Sequence, residues 1–483
     1  MQPLHILLLI AAYFGLLMLI SYFTSRSGSN ADFFKANKQS PWYLVAFGMI
    51  GASLSGVTFI SVPGWVEASQ FSYFQVVLGY TVGYAVIGLV LLPLYYRLNL
   101  TSIYSYLEGR FGTASYKTGA SFFIISRVVG SSFRLYLVAN VLQLLVFDEM
   151  GIPFWVTVTL TILLIWLYTF RSGIKTIVWT DTLQTLFMLT ALGVAIYFIS
   201  QDLGLSPSNI FSFVADSHMS KIFFFDDWKS SDHFVKQFIS GAFIAIVMTG
   251  LDQDMMQKNL TCRTLKDAQK NMFWFTLVLT VVNFIFLGLG VLLTIYAENH
   301  GISARKDDLF PFIATQANLG FGIAICFILG LIAAAYSSAD SALTALTTSF
   351  SIDILGIEKK YDEQKQIRIR KLIHILTSLV LILTIITFKY IIADESVIAR
   401  LFVFAGYTYG PLLGLYSFGM FTKWKVYDKF VPLIAILSPV LSYIISVFSA
   451  LWLDFEFGFF ILILNGALTF LGLLLIRRKG IVA

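Results

Sequence analysis

Long apolar stretches dominate the chain and alternate with short polar connections. Thirteen of these stretches are long enough to cross a bilayer, which takes about 20 residues in a helix. They lie at 4–24, 42–67, 74–96, 118–147, 153–170, 176–200, 234–256, 272–298, 309–352, 370–390, 396–421, 428–451 and 456–476. The stretch at 309–352 exceeds one crossing, so we expect its helix to extend into the cytoplasm. The pattern predicts an all-α membrane protein with about 13 transmembrane helices.

The composition supports this class and excludes a soluble enzyme. Of 483 residues, 58% are hydrophobic and only 12% are charged, whereas soluble domains carry about 25% charged residues. A membrane-embedded enzyme would need a nucleophile–base pair or a metal site. The histidines lie at termini, in loops or at span ends without ligand spacing: His5, His218, His233, His300 and His374. The sequence therefore predicts one transmembrane domain over 1–483 that is not an enzyme.

The basic residues predict the orientation of the chain. With the N-terminus outside, the inward connections hold 24 of the 33 Lys and Arg residues and the outward ones hold five. The positive-inside rule therefore favours a multi-pass protein of the plasma membrane, with an external N-terminus and a cytoplasmic C-terminus.

A polar stripe lies inside the ninth apolar stretch. Ser337, Asp340, Ser341, Thr344 and Thr348 follow helical spacing on one face. A carboxylate at membrane depth costs about 3 kcal/mol unless it has a partner or an ion. Hard oxygen ligands without His or Cys suit a hard cation. In the alternative interpretation, these hydroxyls bond the backbone carbonyls four residues earlier.

Asp181, Arg127 and Arg134 are further charged residues within apolar stretches. If Asp181 faces Asp340, the two carboxylates need a cation, a proton or an arginine between them, and the residues alone do not choose. Asp181 could instead reach the membrane interface. Arg127 and Arg134 are seven residues apart on one helix face. Each could pair with Asp181, Asp340 or Glu67, or bind an anionic substrate group.

Two stretches contain features that interrupt a helix. Gly and Ser residues recur within 48–56, before Pro63 and Gly64. Gly250 lies near the end of the seventh stretch. Interrupted helices in corresponding positions indicate an inverted-repeat transporter whose freed carbonyls bind an ion. Close helix packing is the alternative use of such small residues. The predicted units are a flanking helix and loop (1–41), two repeats (42–200 and 234–421) and two C-terminal flanking helices (428–483).

Five motifs give the chain a resemblance to a known family. They are residues 99–111, 173–184, 253–257, the stripe that begins at Ser337, and 405–415. In these motifs the chain resembles the sodium/solute symporters, whose bacterial members include sialic acid, galactose and proline symporters. The resemblance implies a LeuT-like fold of 5+5 inverted repeats, with one extra helix before the core and two after it.

The resemblance also implies ion sites. The residues that match the family's general sodium site are Gly51, Leu54, Ala334, Ser337 and Ser338. Asp181, Ser337 and Ser341 match the second sodium site of some members, and Asp340 stands in that possible site where the family usually has a serine. That departure favours a modified second sodium site, with proton coupling as the alternative.

The implied function is sodium-coupled symport of a small polar solute by alternating access. The candidate substrate residues are Ser53, Ser55, Thr58, Tyr73, Arg134, Thr249 and Tyr407. The solute could be a sugar, an organic anion, an amino acid or a vitamin. A proton-coupled transporter and a sodium-dependent sensor or channel are the alternatives. The expected partners are this solute, one or two Na⁺ and membrane lipid, with no nucleic acid and a monomeric chain.

Overall fold

The structure is a computed structural model that describes residues 3–24, 38–169, 173–304, 306–317, 319–391 and 397–481. Helices account for most of it. In the first half they are α1 (Pro3–Thr24), α2 (Trp42–Ser53), α3 (Gly56–Ser69), α4 (Ser72–Val86), α5 (Leu92–Arg97), α6 (Ser105–Arg110), α7 (Thr113–Leu142), α8 (Phe154–Thr169), α9 (Gly173–Asp202) and α10 (Ile210–Ala215). In the second half they are α11 (Phe234–Ala245), α12 (Gln253–Asn259), α13 (Leu265–Asn299), α14 (Leu309–Gln316), α15 (Phe321–Ser349), α16 (Ile357–Lys360), α17 (Glu363–Ile391), α18 (Val397–Phe421), α19 (Val431–Leu453) and α20 (Ile461–Leu475).

Wider and tighter turns extend several of these helices. Single π-helical segments follow α4, α7, α11 and α15, at Ile87–Leu91, Gln143–Phe147, Ile246–Gly250 and Phe350–Leu355. Short 3₁₀ turns occur at His218–Ser220, Lys306–Asp308, Asp428–Phe430 and Gly458–Phe460. The strands β1 (Trp424–Val426) and β2 (Arg477–Ile481) pair antiparallel, with Trp424 opposite Ile481.

Most of the helices have the length and hydropathy of membrane spans. In the described part of the chain, nine helices are long and apolar enough to cross a bilayer, and two bent pairs raise the number to 11. The pairs are α2 with α3, bent by 53°, and α11 with α12, bent by 70°. Each predicted stretch contains a helix, and the total of 13 crossings stays a prediction.

The single helix predicted over 309–352 is wrong. The structure has the short helix α14 and then α15, which begins directly after Gly320. Gly320 has a φ of +112°, which only glycine adopts without strain. The hydrophobic pattern continues through this turn because both helices bury apolar side chains, so hydropathy does not reveal the break.

Connections that were predicted to share a side of the membrane lie together. At one end, Lys236 Nζ donates to the carbonyl of Glu456 at 2.9 Å and so joins two outward connections. At the other end, the Asp428 carboxylate accepts the N–H groups of Ala114 and Ser115 at 2.8 Å each. The structure thus agrees with the predicted grouping of loops.

Helices α4 and α11 approach each other through two glycines. A Cβ atom on Gly79 would lie 2.0 Å from the carbonyl oxygen of Phe238, and one on Gly241 would lie 2.1 Å from that of Val76. The two backbones are therefore in direct contact, as small residues allow in membrane helices.

We expect Gly79→Ala to destabilise the protein because a methyl group there has to push two helix backbones apart. Overpacking of this kind costs about 1–3 kcal/mol, and the measurement is the melting temperature of the purified protein in detergent. Gly193→Ala on α9 is the matched control, since nothing lies within 4 Å of the added methyl group and alanine favours a helix. Equal melting temperatures of the two variants would contradict the close approach.

Candidate functional site

The break between α2 and α3 frees backbone carbonyls in the middle of a buried helix pair. The N–H of Leu54 still donates to the carbonyl of Ile50 at 2.8 Å. Among the described residues, no backbone N–H donates to the carbonyls of residues 51–54. These include the carbonyls of Gly51 and Leu54, which were predicted to bind sodium. Freed carbonyls at membrane depth need another partner, such as an ion.

Helix α15 carries the predicted hydroxyls in buried positions. It packs against both α2 and α3, and Ala334, Ser337 and Ser338 are each at most 1% exposed. Ser337 Oγ donates to Asp181 Oδ1 at 2.7 Å, whereas Ser338 Oγ makes no hydrogen bond to the described protein. A buried hydroxyl without a protein partner costs free energy. The arrangement therefore fits a cation held between α15 and the freed carbonyls.

The rest of the polar stripe divides between the two interpretations of its hydroxyls. Thr348 Oγ1 donates to the carbonyl of Thr344 at 2.8 Å, so the back-bonding alternative is correct for Thr348. Thr344 Oγ1 and Ser341 Oγ have no hydrogen-bond partner in the described part.

Asp181 is fully buried, so the interfacial alternative for this residue is wrong. Its Oδ2 accepts from Lys258 Nζ at 2.7 Å, and the Lys258 side chain is 1% exposed. The sequence assigned Lys258 to an inward connection, but the bend after α11 turns α12 and its lysine into the core. The structure thus places an ammonium group against one of the two predicted carboxylates.

Asp340 lies beside this pair and is also fully buried. The Tyr168 hydroxyl on α8 donates to Asp340 Oδ2 at 2.8 Å, and the N–H of Ser341 donates to Oδ1 at 2.5 Å. Asp340 lies one turn after Ser337, which bonds Asp181, so the two carboxylates are on facing helices at a similar level. Ser337 and Ser341, which were predicted to bind a second ion, lie within one turn of Asp340 on the same helix.

Arg127 has partners that differ from those expected. It forms ion pairs with Asp254 and, at 3.7 Å, with Asp252, not with Glu67, Asp181 or Asp340. Asp252 also accepts the N–H of Asp254 at 2.9 Å and the hydroxyl of Tyr409 at 2.5 Å. Arg127 therefore holds the start of α12 to α7 at the second helix break. Tyr409 holds the same place to α18.

A cavity beside the first break collects most of the predicted substrate residues. Its volume is about 80 Å³. The predicted residues that line it are Ser53, Ser55, Thr58, Tyr73, Arg134 and Thr249. Arg134 forms no ion pair in the described part, and its Nε atom is buried without a hydrogen bond. The cavity thus combines hydroxyl groups with one guanidinium that no acid neutralises by contact.

Tyr407 does not line this cavity. Its ring packs against Tyr443 at 6.2 Å between centroids, and Phe402 of the same helix forms the cavity wall. Five residues rotate an α-helix by about 140° from its starting face, so the two side chains point to different neighbours.

Several lining residues were missed from the sequence. Tyr80, Tyr84, Asn283 and Phe402 all line the cavity. The tyrosines were detectable because they follow Tyr73 at helical spacing on one face. Asn283 and Phe402 carry no comparable signal.

Comparison with known proteins decides the family. The model of the sodium:solute symporter family matches residues 33–425. The chain belongs to the sodium:solute symporter family. The resemblance seen in its motifs is thereby confirmed.

Curated relatives of this symporter carry several solutes. It is 26% identical over 427 residues to the sodium/sialic acid symporter NanT of Aliivibrio fischeri, covering 85% of this chain and 82% of the relative. It is 23% identical to the human sodium/iodide cotransporter, over 86% of this chain and 64% of the relative. It is 26% identical to the sodium-coupled monocarboxylate transporter 1 of Xenopus laevis, over 84% and 67% of the two chains.

Solved structures confirm the fold of the symporter. A Na⁺-coupled sialic acid symporter in its substrate-bound outward-open state aligns with a TM-score of 0.81 and 22% identity, over 98% of this chain and 99% of the other. The nucleobase–cation symporter Mhp1 aligns with a TM-score of 0.57 and 12% identity, over 92% and 93%. The fold is LeuT-like, as predicted. The chain is a sodium-coupled solute symporter of the membrane and not an enzyme.

Proposed function

We propose that this symporter couples Na⁺ to the transport of a small organic anion, and that the anion is a carboxylate. The observation that carries the proposal is Arg134, a cavity-lining guanidinium without an acidic partner in contact. The nearby Arg127 is already paired with Asp252 and Asp254. Arg134 is therefore the cation that is left to meet a solute.

The chemistry of the cavity favours a carboxylate over a neutral solute. A guanidinium binds a carboxylate through two parallel N–H···O bonds. Hydroxyls of Ser55, Thr58 and Thr249 supply further polar contacts, and Tyr73 and Phe402 supply apolar walls. The volume of about 80 Å³ is below the range of roughly 300–1,000 Å³ that is usual for small-molecule pockets. A solute of few heavy atoms fits best.

The named solutes of the relatives agree with an anion. Sialic acid, iodide and monocarboxylates are the solutes in the names of three relatives. All of them carry negative charge at neutral pH. Charge, more than shape, is what these solutes share.

The general sodium site of the proposal consists of Gly51, Leu54, Ala334, Ser337 and Ser338. Its support is the set of freed carbonyls at the break and the buried, unpartnered Ser338 hydroxyl. Leu54 lies between Ser53 and Ser55, which line the solute cavity. A sodium ion bound to the Leu54 carbonyl would attract an anion in that cavity. Each ligand would then raise the affinity for the other.

The finer assignments from the sequence complete the proposal. Transport proceeds by alternating access in the plasma membrane, with the N-terminus outside and the C-terminus in the cytoplasm, by a monomer in contact with lipid. The two repeats are 42–200 and 234–421, each beginning with a broken helix. Asp181, Ser337, Asp340 and Ser341 are the proposed lining of a second cation site.

A thermal-shift screen of the purified protein tests the solute class. Small monocarboxylates, iodide, sialic acid, neutral sugars and amino acids are added in Na⁺ and, for comparison, in K⁺. A ligand at 100 times its Kd stabilises by about 2.7 kcal/mol, so we expect a carboxylate to raise the melting temperature in Na⁺ only. Stabilisation by neutral sugars and not by anions would reject the proposal.

We expect Ser338→Ala to weaken Na⁺ affinity about 10- to 100-fold, because a contact to a charged group contributes about 1.5–3 kcal/mol. The measurement is the Na⁺ concentration that gives half-maximal thermal stabilisation. Thr348→Val is the matched control, since it removes a buried hydroxyl of the same helix that bonds only its own backbone. If Ser338→Ala retained wild-type affinity, Ser338 would not belong to the site.

A further inference from the structure

Three buried charged side chains meet between α8, α9, α12 and α15. Asp181 and Asp340 are fully buried, and Lys258 is 1% exposed. The ammonium lies 2.7 Å from Asp181, while Asp340 receives the Tyr168 hydroxyl at 2.8 Å. These residues surround the place where the sequence predicted a second ion.

Both carboxylate oxygens of Asp181 have a partner in the protein. Its Oδ2 accepts from the Lys258 ammonium and its Oδ1 accepts from the Ser337 hydroxyl at 2.7 Å. Lys258 supplies Asp181 with a countercharge in contact. Asp340 is held by neutral donors, the Tyr168 hydroxyl and the N–H of Ser341. A sodium ion at Asp181 would have to displace this ammonium or lie next to it, and two neighbouring cations repel each other strongly in a medium of low polarity.

The bond from Ser337 connects this place with the general sodium site. Because the Ser337 hydroxyl donates a hydrogen bond to Asp181, the lone pairs of its oxygen remain available to a cation in the general sodium site. Lys258 and Asp181 thus orient a ligand of the general site without binding the ion themselves.

We propose that the Lys258 ammonium is the resident cation of the Asp181–Asp340 site, so that this symporter binds a single Na⁺ per chain. The proposal rests on the general sodium site proposed above and refines the second ion site: a built-in lysine replaces the ion. Lys258 reaches this place because it lies on α12, the short helix that follows the second helix break. The break turns α12 towards α9 and α15.

The number of ions decides what drives the transport. One Na⁺ carried with one monovalent anion moves no net charge, so accumulation would follow the sodium gradient alone. A second Na⁺ would move one net charge, and a potential of 100 mV would then add about 50-fold to the accumulation. Lys258 therefore determines whether the membrane potential contributes.

The test counts Na⁺ ions with Na⁺ itself as the probe. Binding of ²²Na⁺ to the purified full-length protein and the slope of thermal stability against log[Na⁺] are measured, with choline holding the ionic strength constant. We expect one ion for the wild type and for Lys258→Arg. We expect two for Lys258→Gln, because Asp181, Asp340 and the nearby serines then lack their cation. A wild-type count of two would overturn the proposal, even if no variant folds.

Two further variants distinguish a failure of this proposal from a failure of the proposed general sodium site. The double variant Lys258→Gln/Asp181→Asn removes one charge of each sign, so its count should return to one. A count of two there would contradict the role of charge. Ser338→Ala should weaken the binding of the single Na⁺ ion and leave the contact of Lys258 with Asp181 in place. If Ser338→Ala had no effect while Lys258→Gln still gained an ion, the general site would be wrong and the role of Lys258 would stand.

Discussion

Arg134→Ala is expected to abolish Na⁺-driven uptake of anions. Removing one partner of a buried charge-assisted contact costs about 2–5 kcal/mol, which corresponds to at least about a 30-fold loss of solute affinity. The loss should be specific to the solute, because Arg134 forms no ion pair that holds the described protein together. The measurement is uptake into proteoliposomes of the anion that stabilises the purified protein.

The controls for Arg134 distinguish charge from geometry. Arg134→Lys keeps the charge but loses the two-pronged contact, so we expect partial activity with a raised KM. Na⁺-dependent thermal stabilisation without solute should persist in both variants, since Arg134 does not belong to the proposed sodium site. Full uptake by Arg134→Ala would remove the carboxylate contact from the proposal.

We expect Arg127→Ala to lower the free energy of unfolding more than Gly79→Ala or Lys221→Ala. The substitution leaves Asp252 and Asp254 buried without their counterion, and breaking a buried ion pair in this way costs about 3–5 kcal/mol. Because Asp252 also caps α12 and accepts from Tyr409, the second helix break should loosen as well. The measurements are the melting temperature in detergent and the yield of folded protein.

An exposed ion pair provides the contrast for Arg127. Lys221 and Asp226 lie 3.1 Å apart with side chains 48% and 87% exposed, and such pairs contribute about 0–1 kcal/mol. We expect Lys221→Ala to melt close to the wild type. Neutralising an acid in the double variant Arg127→Ala/Asp254→Asn should recover part of the lost stability. Equal melting temperatures of Arg127→Ala and Lys221→Ala would show that the buried pairs contribute little.

The helix break and the buried hydroxyls of the proposed general sodium site were predictable from the chain. Glycine and serine near residue 51, followed by Pro63, weaken a helix through local propensity. A carboxylate among serines in an apolar stretch is unusual enough to indicate an ion site. The structure places the break at Leu54 and buries Ser337 and Ser338 on α15, which packs against both halves of the broken helix.

The solute cavity was only partly predictable. Ser53, Ser55 and Thr58 lie at the break and were found because of it. The wall contributed by α18 was assigned to Tyr407, whereas Phe402 provides it. The sequence period gives the faces of α18 but not which face meets the cavity.

Local sequence thus established the class of the protein, the two helix breaks and the stripe on α15. These features follow from hydropathy, backbone propensity and helical period, each of which acts over a few turns of chain. Only the tertiary structure decided which charges meet: Lys258 reaches Asp181 across 77 positions of sequence, and Arg127 reaches Asp254 instead of Asp340. Such partners depend on how bent helices pack against one another. For that reason the contact of the buried Lys258 with Asp181 emerged from the fold and not from the pattern of residues.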